Sequence, residues 1–395
     1  MKPVSRAMLM LALVLAAINL RPGITSLAPL IERIAADLDL SRGLISLTTA
    51  LPVLCMGLLA PLAPRLAARF GLERTIACCL GLIGSALLLR LASHLGGVLI
   101  GSAVVLGTGI AVAGPLLSGF IKRHFEHVGR VVGWYSFSMS IGGASGAVFS
   151  MPATRLLGDD WSYGLAVWAL PAFIGLAFWL FLPGQREAAN APSGGAGLPW
   201  REPRAWLVTA FFAIQAGLFY TLATWLVARY HEAGLNELRA AGLFSTFMLV
   251  GLPSAFLLPW LAQRFDNRHH LLLGCGLMVS LCLGMLTFAP TLYPELWATL
   301  LGFALSGSFS LSLVLPLYEA HSPLQVSRWT AMMLCAGYGM GCLTPILAGV
   351  GRDFSGTYQL PFMVLTALAL GMTIVARALR PPRRAAASES ARHPE

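Results

Sequence analysis

The sequence predicts an all-α membrane protein that crosses the bilayer many times. Of its 395 residues, 57% are hydrophobic and only 11% are charged, whereas an average soluble domain carries roughly 25% charged residues. Apolar stretches recur along the whole chain, separated by short polar connectors, and they are about as long as the ~20 residues that a membrane-spanning helix needs. This composition excludes most soluble enzymes and nucleic-acid-binding domains.

The apolar stretches predict twelve membrane spans in two groups of six. The longest polar stretch, at 183–204, separates the groups and contains the sequence APSGGAG, which is typical of a flexible linker. We therefore predict a six-span bundle at 1–182, a cytoplasmic linker at 183–204, a second six-span bundle at 205–379 and a cytoplasmic tail at 380–395. The predicted spans, numbered 1 to 12, lie at about 7–31, 43–64, 74–93, 97–119, 130–151, 162–182, 205–229, 240–262, 270–289, 294–318, 328–350 and 358–379.

The positive charges are distributed as they are in membrane proteins. With the N-terminus placed in the cytoplasm, 19 of the 27 Lys and Arg residues fall on the cytoplasmic side and 7 on the other side, and Arg21 falls within span 1. This bias follows the positive-inside rule and predicts that both termini are cytoplasmic. It also accounts for the net charge of +10 without a nucleic-acid partner.

The two halves carry a weak internal repeat. Asn19 and Thr25 in span 1 match Gln215 and Thr221 in span 7, both at an offset of 196 residues. Transporters built from such repeats bind their substrate near the midplane of the membrane, at the interface between the repeats. The repeat therefore predicts two pseudo-symmetric bundles with a substrate site between them.

Arg21 is the candidate site residue that stands out most clearly, because it is a charge near the middle of span 1. An arginine at the bilayer centre costs ~2.5–3.5 kcal/mol on insertion scales, so it faces the bundle interior or a water-filled cavity. No Asp or Glu lies in the central part of any predicted span. An unpaired guanidinium suits a flat or carboxylate-like anion. Alternatively, Arg21 binds backbone carbonyls that are freed nearby.

Pro22 and Gly23 predict a bend or an unwound segment beside Arg21. Proline has no N–H group, so the carbonyl of Ile18 loses its helical partner, and glycine adds local flexibility. Broken helices at mid-membrane often mark transporter sites, and this one could act as a conformational hinge. An ordinary proline kink, which membrane helices tolerate, is the alternative.

Two side-chain amides, Asn19 and Gln215, are predicted to lie deep in the membrane at equivalent positions of the two halves. Buried amides need hydrogen-bond partners, so both could bind a polar substrate. The alternative is an interhelical hydrogen bond, which is worth ~0.6 kcal/mol on average. Thr25 lies four residues from Arg21 and shares its helix face, so it is a further candidate for substrate binding.

Three aromatic residues, Tyr220, Trp134 and Tyr338, are candidates for stacking against a flat substrate. Packing or anchoring at the membrane interface is the commoner role of such residues. The sequence has no Walker A, HExxH or GxSxG motif, and all eight His lie at span ends, in loops or in the tail. We therefore predict no catalytic residues, no metal site and no cofactor. The carboxylates nearest to the membrane centre are Glu32 and Glu319, which favours uniport, exchange or proton cotransport carried partly by the substrate.

Five segments of the chain carry a resemblance to a known family. They are 19–22 (Asn-Leu-Arg-Pro) with Thr25-Ser26, 50–52 (Ala-Leu-Pro), 121–125 (Ile-Lys-Arg-His-Phe), the glycine-rich 133–146 and 168–172 (Trp-Ala-Leu-Pro-Ala). These segments resemble the major facilitator superfamily and, more narrowly, its bacterial family of cyanate permeases and 2-nitroimidazole transporters. The resemblance implies a monomeric twelve-span transporter of the bacterial inner membrane that moves a small anion or a small polar organic molecule by alternating access. Export of nitroimidazole-like or other drug-like compounds is the alternative.

Overall fold

A computed structural model of the protein describes residues 5–126, 128–182, 198–265, 267–320 and 323–380. Their regular secondary structure is entirely helical. Eleven of the described helical segments are long and apolar enough to cross a membrane. These are Arg6–Thr25, Arg42–Phe70, Leu72–Ala92, Gly96–His124, Trp161–Leu180, Pro203–Glu232, Glu237–Phe265, Arg268–Phe288, Pro294–Pro316, Arg328–Ser355 and Gln359–Ala378.

The helix Val128–Leu156 supplies the remaining span. It has 29 residues but is rich in Gly and Ser, which makes it less apolar than the others. It lies in the chain between Gly96–His124 and Trp161–Leu180, at the position of predicted span 5. The predicted fold class is confirmed, and the span numbers of the sequence analysis apply to these segments in chain order.

Packing between the spans repeats from one half to the other. Spans 2 and 4 pack together in the first half, as spans 8 and 10 do in the second. Spans 3 and 6 pack together as spans 9 and 12 do, and spans 1 and 5 pack together as spans 7 and 11 do. Ion pairs repeat as well: Arg6 at the start of span 1 lies 2.9 Å from Glu126, and Arg204 at the start of span 7 lies 2.6 Å from Glu319. The two halves meet where span 2 packs on span 11 and span 5 packs on span 8.

Span 1 is interrupted where the sequence predicts it. Its helix runs over Arg6–Ile18, and a short helix, Pro22–Thr25, follows after a break. Within the break, Asn19 and Leu20 donate backbone hydrogen bonds to Ala16 and Ala17, the tighter spacing of a 3₁₀ turn. Pro22 is the first residue of the second piece, a position where its missing N–H is tolerated. A third helix, Ile31–Asp37, follows span 1, and its Ile31, Ile34 and Ala35 are buried.

Several other spans consist of more than one helix. Span 2 is built from Arg42–Ile45, Leu47–Leu59, the 3₁₀ turn Ala60–Leu62 and Ala63–Phe70. Span 6 divides into Trp161–Ala166 and Ala169–Leu180. Span 11 divides into Pro323–Gly341 and Leu343–Ser355. Residues 183–197 of the predicted linker and 381–395 of the predicted tail lie outside the described residues, and the predicted bundle boundaries remain predictions.

Glycines of span 5 allow it to pack closely against the break in span 1. A Cβ at Gly142 would overlap the backbone carbonyl oxygen of Ile18, and one at Gly146 would lie 2.5 Å from the Thr25 hydroxyl and 3.0 Å from the Pro22 Cα. The glycine pair spaced by four residues therefore brings two helix backbones together, as such pairs do in membranes.

We expect Gly142→Ala to destabilise the protein strongly, because the added methyl group meets backbone that cannot rotate away. Overpacking of this kind typically costs about 1–3 kcal/mol. The measurement is the apparent melting temperature of the purified protein in detergent, which should fall by several degrees. Gly101→Ala is the matched control, since a Cβ there meets nothing within 4 Å. Equal melting temperatures for the two variants would contradict the close packing of spans 1 and 5.

Candidate substrate-binding site

Two adjoining cavities lie between the halves of the protein. The larger has a volume of about 450 Å³ and the smaller about 110 Å³. Both halves line both cavities, and eight residues line the two cavities in common. Their combined size suits a small molecule rather than a large one. The shared lining residues include Arg21, Ser136, Phe219, Tyr220, Phe309 and Tyr338.

Arg21 is half-buried and lines both cavities. Its guanidinium carbon lies 5.1 Å from the centre of the Phe219 ring, within the range of a cation–π contact. No carboxylate lines either cavity, and no ion pair joins Arg21 to an acidic residue in the described part of the chain. The cavities therefore carry a positive charge that the surrounding described side chains do not neutralise.

Three tyrosines surround this charge. Tyr135, Tyr220 and Tyr338 all lie close enough to Arg21 to interact with it electrostatically. The ring centres of Tyr220 and Tyr338 are 6.3 Å apart, and both residues line the two cavities. The Tyr220 hydroxyl donates to the Met56 sulfur at 3.6 Å, a weak acceptor, and also interacts with the Tyr338 hydroxyl. A hydroxyl of this pair that turned away from its neighbour could donate a hydrogen bond to an anion bound at Arg21.

Gln215 and Thr25 also reach the cavities. Gln215 is 1% exposed and lines the smaller cavity; its Nε2 donates to the carbonyl of Leu305 at 3.1 Å. Its Oε1 is buried and has no hydrogen-bond partner among the described residues. Thr25 lines the larger cavity and donates to the backbone carbonyl of Arg21 at 3.2 Å, across the start of the short helix.

Asn19 and Trp134 line neither cavity. The Asn19 amide donates to the carbonyl of Leu15 at 2.7 Å and to that of Pro171 in span 6 at 3.0 Å. Trp134 is 54% exposed, and its ring lies against Phe137. These positions argue against direct contact of either side chain with a substrate, and they give Asn19 the role of joining spans 1 and 6.

Span 5 supplies cavity residues that the sequence analysis did not select. Tyr135, Ser136, Met139 and Ser140 line the cavities, and a Cβ at Gly143 would lie 3.3 Å from the Arg21 side chain. The signal was present in the sequence, because positions 135, 136, 139, 140 and 143 share one face of a helix. Polar and small residues on one face of an otherwise apolar span indicate a surface that does not contact lipid.

Span 10 presents a similar face to the cavities. Ser306, Phe309, Ser310 and Leu313 all line the smaller cavity, at spacings of three and four residues. The alternate serines, Ser308 and Ser312, are instead buried and donate to carbonyls of their own helix. The run of serines in this span therefore divides into a cavity face and a packing face.

The two halves are joined beyond the cavities at the end of the bundle opposite the described termini, which we call the far end. Glu32 follows span 1 and accepts a hydrogen bond from the hydroxyl of Tyr358, which precedes span 12. Glu32 also pairs with Arg42 at 2.8 Å, and the backbone N–H of Gly43 donates to Asp353 at 2.9 Å. Burial raises the pKa of Tyr358, and the neighbouring Glu32 carboxylate raises it further, so the phenol stays protonated and donates.

The cavities extend from mid-membrane toward the other end of the bundle. Ala60, Ser118, Val132 and Leu334 line the larger cavity. They lie in the parts of spans 2, 4, 5 and 11 that are nearer to the start of span 1 and the end of span 12. The described residues thus form a cavity that is closed off at the far end and reaches toward the end that carries the termini.

Comparison with known proteins shows the family and the fold. The family model of the Major Facilitator Superfamily matches residues 9–341. The cyanate transport protein CynX of Escherichia coli is 31% identical over 380 residues, covering 95% of this chain and 98% of the relative. The 2-nitroimidazole transporter of the same organism is 32% identical over 378 residues, covering 94% of each chain. The crystal structure of a D-xylose–proton symporter superposes with a TM-score of 0.78 at 14% identity, covering 95% of this chain and 98% of that one.

The protein is therefore a multi-pass membrane transporter and not an enzyme. It belongs to the Major Facilitator Superfamily. The fold places six spans on each side of a central cavity, and the chain has relatives of about its own length that carry the names of transporters.

Proposed function

We propose that the protein transports a small anion, or a small polar organic molecule with an electron-rich planar group, by alternating access between its two halves. The single observation that supports this most strongly is Arg21, whose charge no described acidic side chain neutralises in a cavity lined by both halves. A guanidinium binds planar two-oxygen groups through two parallel hydrogen bonds. The relative that is named as a cyanate transport protein is consistent with a small anionic substrate.

We further propose a bacterial inner membrane location with both termini in the cytoplasm. The excess of Lys and Arg on one side of the predicted spans supports this orientation. In it, the cavity faces the cytoplasm and the far end faces the periplasm. One chain contains both halves and the whole cavity, which supports transport by a monomer.

A second candidate function is export of neutral, nitroimidazole-like compounds. Aromatic and methionine side chains, including Phe219, Phe309 and Met139, form much of the lining, and apolar linings of this kind hold drug-sized ligands. A relative is named as a 2-nitroimidazole transporter. A nitro group presents two oxygens in a plane as a carboxylate does, so the two candidates share Arg21 and differ in the charge of the substrate.

Uptake into liposomes that contain only the purified protein tests the proposal. The panel is cyanate, nitrate, bicarbonate, short carboxylates and neutral 2-nitroimidazole, with protein-free liposomes as the control. Saturable uptake of at least one anion, above that of the neutral compound, supports anion transport. Uptake of 2-nitroimidazole alone would overturn anion transport and favour the second candidate.

We expect uptake of a fully ionised substrate to depend little on an imposed proton gradient. No carboxylate or histidine lines either cavity, and proton relays within membranes use such groups. At constant external pH, a gradient of one pH unit should change the initial rate by less than about twofold. The measurement compares liposomes of different internal pH under a clamped membrane potential. A rate that follows the gradient and is lost in Glu32→Gln would contradict this expectation.

A further inference from the structure

The smaller cavity contains a buried hydrogen-bond acceptor that the protein leaves unused. Gln215 lines this cavity, and its carbonyl oxygen Oε1 is buried without a partner among the described residues. Buried polar atoms are nearly always paired, so an unpaired one at a cavity points to a ligand atom or a water as its partner. Gln215 itself is 1% exposed, so a group that pairs with Oε1 replaces a confined water rather than bulk solvent.

The hydrogen bond that the Gln215 amide makes through Nε2 determines which kind of group can pair with Oε1. Nε2 donates to the carbonyl of Leu305 in span 10 at 3.1 Å. If the amide rotated to exchange its oxygen and nitrogen, two oxygens would face each other at this position, and the hydrogen bond would be lost. The unpaired polar atom of Gln215 is therefore an acceptor, and the group that pairs with it must be an N–H or O–H donor.

The two cavities are continuous in their lining, because Arg21 contributes to both walls. Phe219 and Phe309, with Tyr220 and Tyr338, also line both. Aromatic side chains of this kind can stack against a planar ring. One molecule can thus place an anionic group at Arg21 and a second group in the smaller cavity. A bare triatomic anion has no donor and would leave Oε1 of Gln215 without a partner from the substrate.

We propose that the smaller cavity is a donor-selective subsite, and that the substrate is a small planar organic anion that carries an N–H or O–H group in addition to its anionic group. This inference rests on the proposed anion transport and narrows its substrate class. Gln215 acts in it as a specificity-determining residue. Sites that hydrogen-bond a substrate N–H or O–H reject analogues that lack it, because the protein group is then left unpaired.

The test uses pairs of five-membered-ring carboxylates that differ in one ring atom. Pyrrole-2-carboxylate and pyrrole-3-carboxylate carry a ring N–H, and furan-2-carboxylate and furan-3-carboxylate carry an acceptor oxygen in its place at the same charge and nearly the same shape. Uptake into liposomes gives kcat/KM for each of the four compounds. We expect at least one pyrrole to exceed its furan counterpart by about tenfold or more.

A variant pair assigns the preference to Gln215. Gln215→Met removes the acceptor at similar volume and should reduce the pyrrole-to-furan ratio to within about twofold. Gln263→Met makes the same change at an exposed position of span 8 outside both cavities and should keep the wild-type ratio. The wild-type ratio is decisive even if Gln215→Met fails to fold.

The outcomes separate this inference from the proposed function. Equal rates for pyrroles and furans would overturn the donor-selective subsite and leave anion transport standing. Transport of cyanate or nitrate without any of the four carboxylates would do the same. If no anion moves at all, the proposed function and this inference both fail.

Discussion

Replacing Arg21 with glutamine should reduce anion uptake by about 100-fold or more, since hydrogen bonds to charged groups contribute about 1.5–3 kcal/mol each and a guanidinium makes two of them to a planar anion. Arg21 is the only Lys or Arg that lines either cavity within the described residues. Arg21→Lys keeps the charge and loses the two-point geometry, so we expect an intermediate loss of about tenfold. The measurement is the initial rate of uptake into liposomes at equal protein content.

Two controls distinguish a binding defect from a folding defect. Arg264→Gln makes the same substitution at an exposed arginine at the end of span 8 and should leave uptake unchanged. The melting temperature of Arg21→Gln should stay close to that of the wild type, because no described carboxylate loses an ion-pair partner. A folded Arg21→Gln variant that takes up anions at the wild-type rate would show that Arg21 has a structural role and does not bind the transported anion.

The sequence predicted the features of this site that depend on local chemistry. Arg21 stood out because a charged residue within an apolar span must face the bundle interior or a water-filled cavity. The break before Pro22 was predictable because proline lacks an N–H group wherever it lies in a fold. The pseudo-symmetry of the two halves was predicted from matched positions such as Thr25 and Thr221. None of these required knowledge of how a helix is rotated about its axis.

The direction of individual side chains could not be predicted in the same way. Trp134 and Tyr135 are neighbours in the chain, and successive residues of a helix point about 100° apart. Only Tyr135 lines the cavity, and Trp134 faces away from it. The sequence identifies an aromatic pair here, but the rotation of span 5 is set by its packing against span 1 and span 8.

The side chains of Asn19 and Gln215 have different partners for a related reason. They occupy matched positions, yet Asn19 ends the first piece of a broken helix and Gln215 lies inside the continuous helix Pro203–Glu232. The break turns Asn19 toward span 6, where its amide donates to Pro171. An internal repeat therefore predicts equivalent backbone positions, and it does not predict equivalent side-chain partners when one copy of the helix is interrupted.

Weakening the contacts at the far end should shift the protein toward a state that is open there. We expect Tyr358→Phe, which removes the hydrogen bond to Glu32, to change the ratio of the two states by about 10–100-fold, the range for a hydrogen bond to a charged group. Spin labels at Leu156 and Leu238, exposed residues at the far ends of spans 5 and 8, report this shift as a larger population of long distances. Tyr293→Phe is the matched control, because Tyr293 is an exposed tyrosine at the same end of the bundle.

The reason to expect so large a shift is that Glu32 serves both halves at once. Its carboxylate holds Arg42 in its own half and accepts from Tyr358 in the other, so one lost hydrogen bond loosens a contact that only the closed far end can make. The remaining contacts between the halves there include the Gly43–Asp353 hydrogen bond, the close approach of Gly349 to Arg42 and the ion pair of Arg155 with Glu237 at 3.6 Å. An unchanged distance distribution in Tyr358→Phe would mean that these other contacts hold the far end closed. Gly349→Val, which adds bulk against the Arg42 carbonyl, would then be the substitution that opens it.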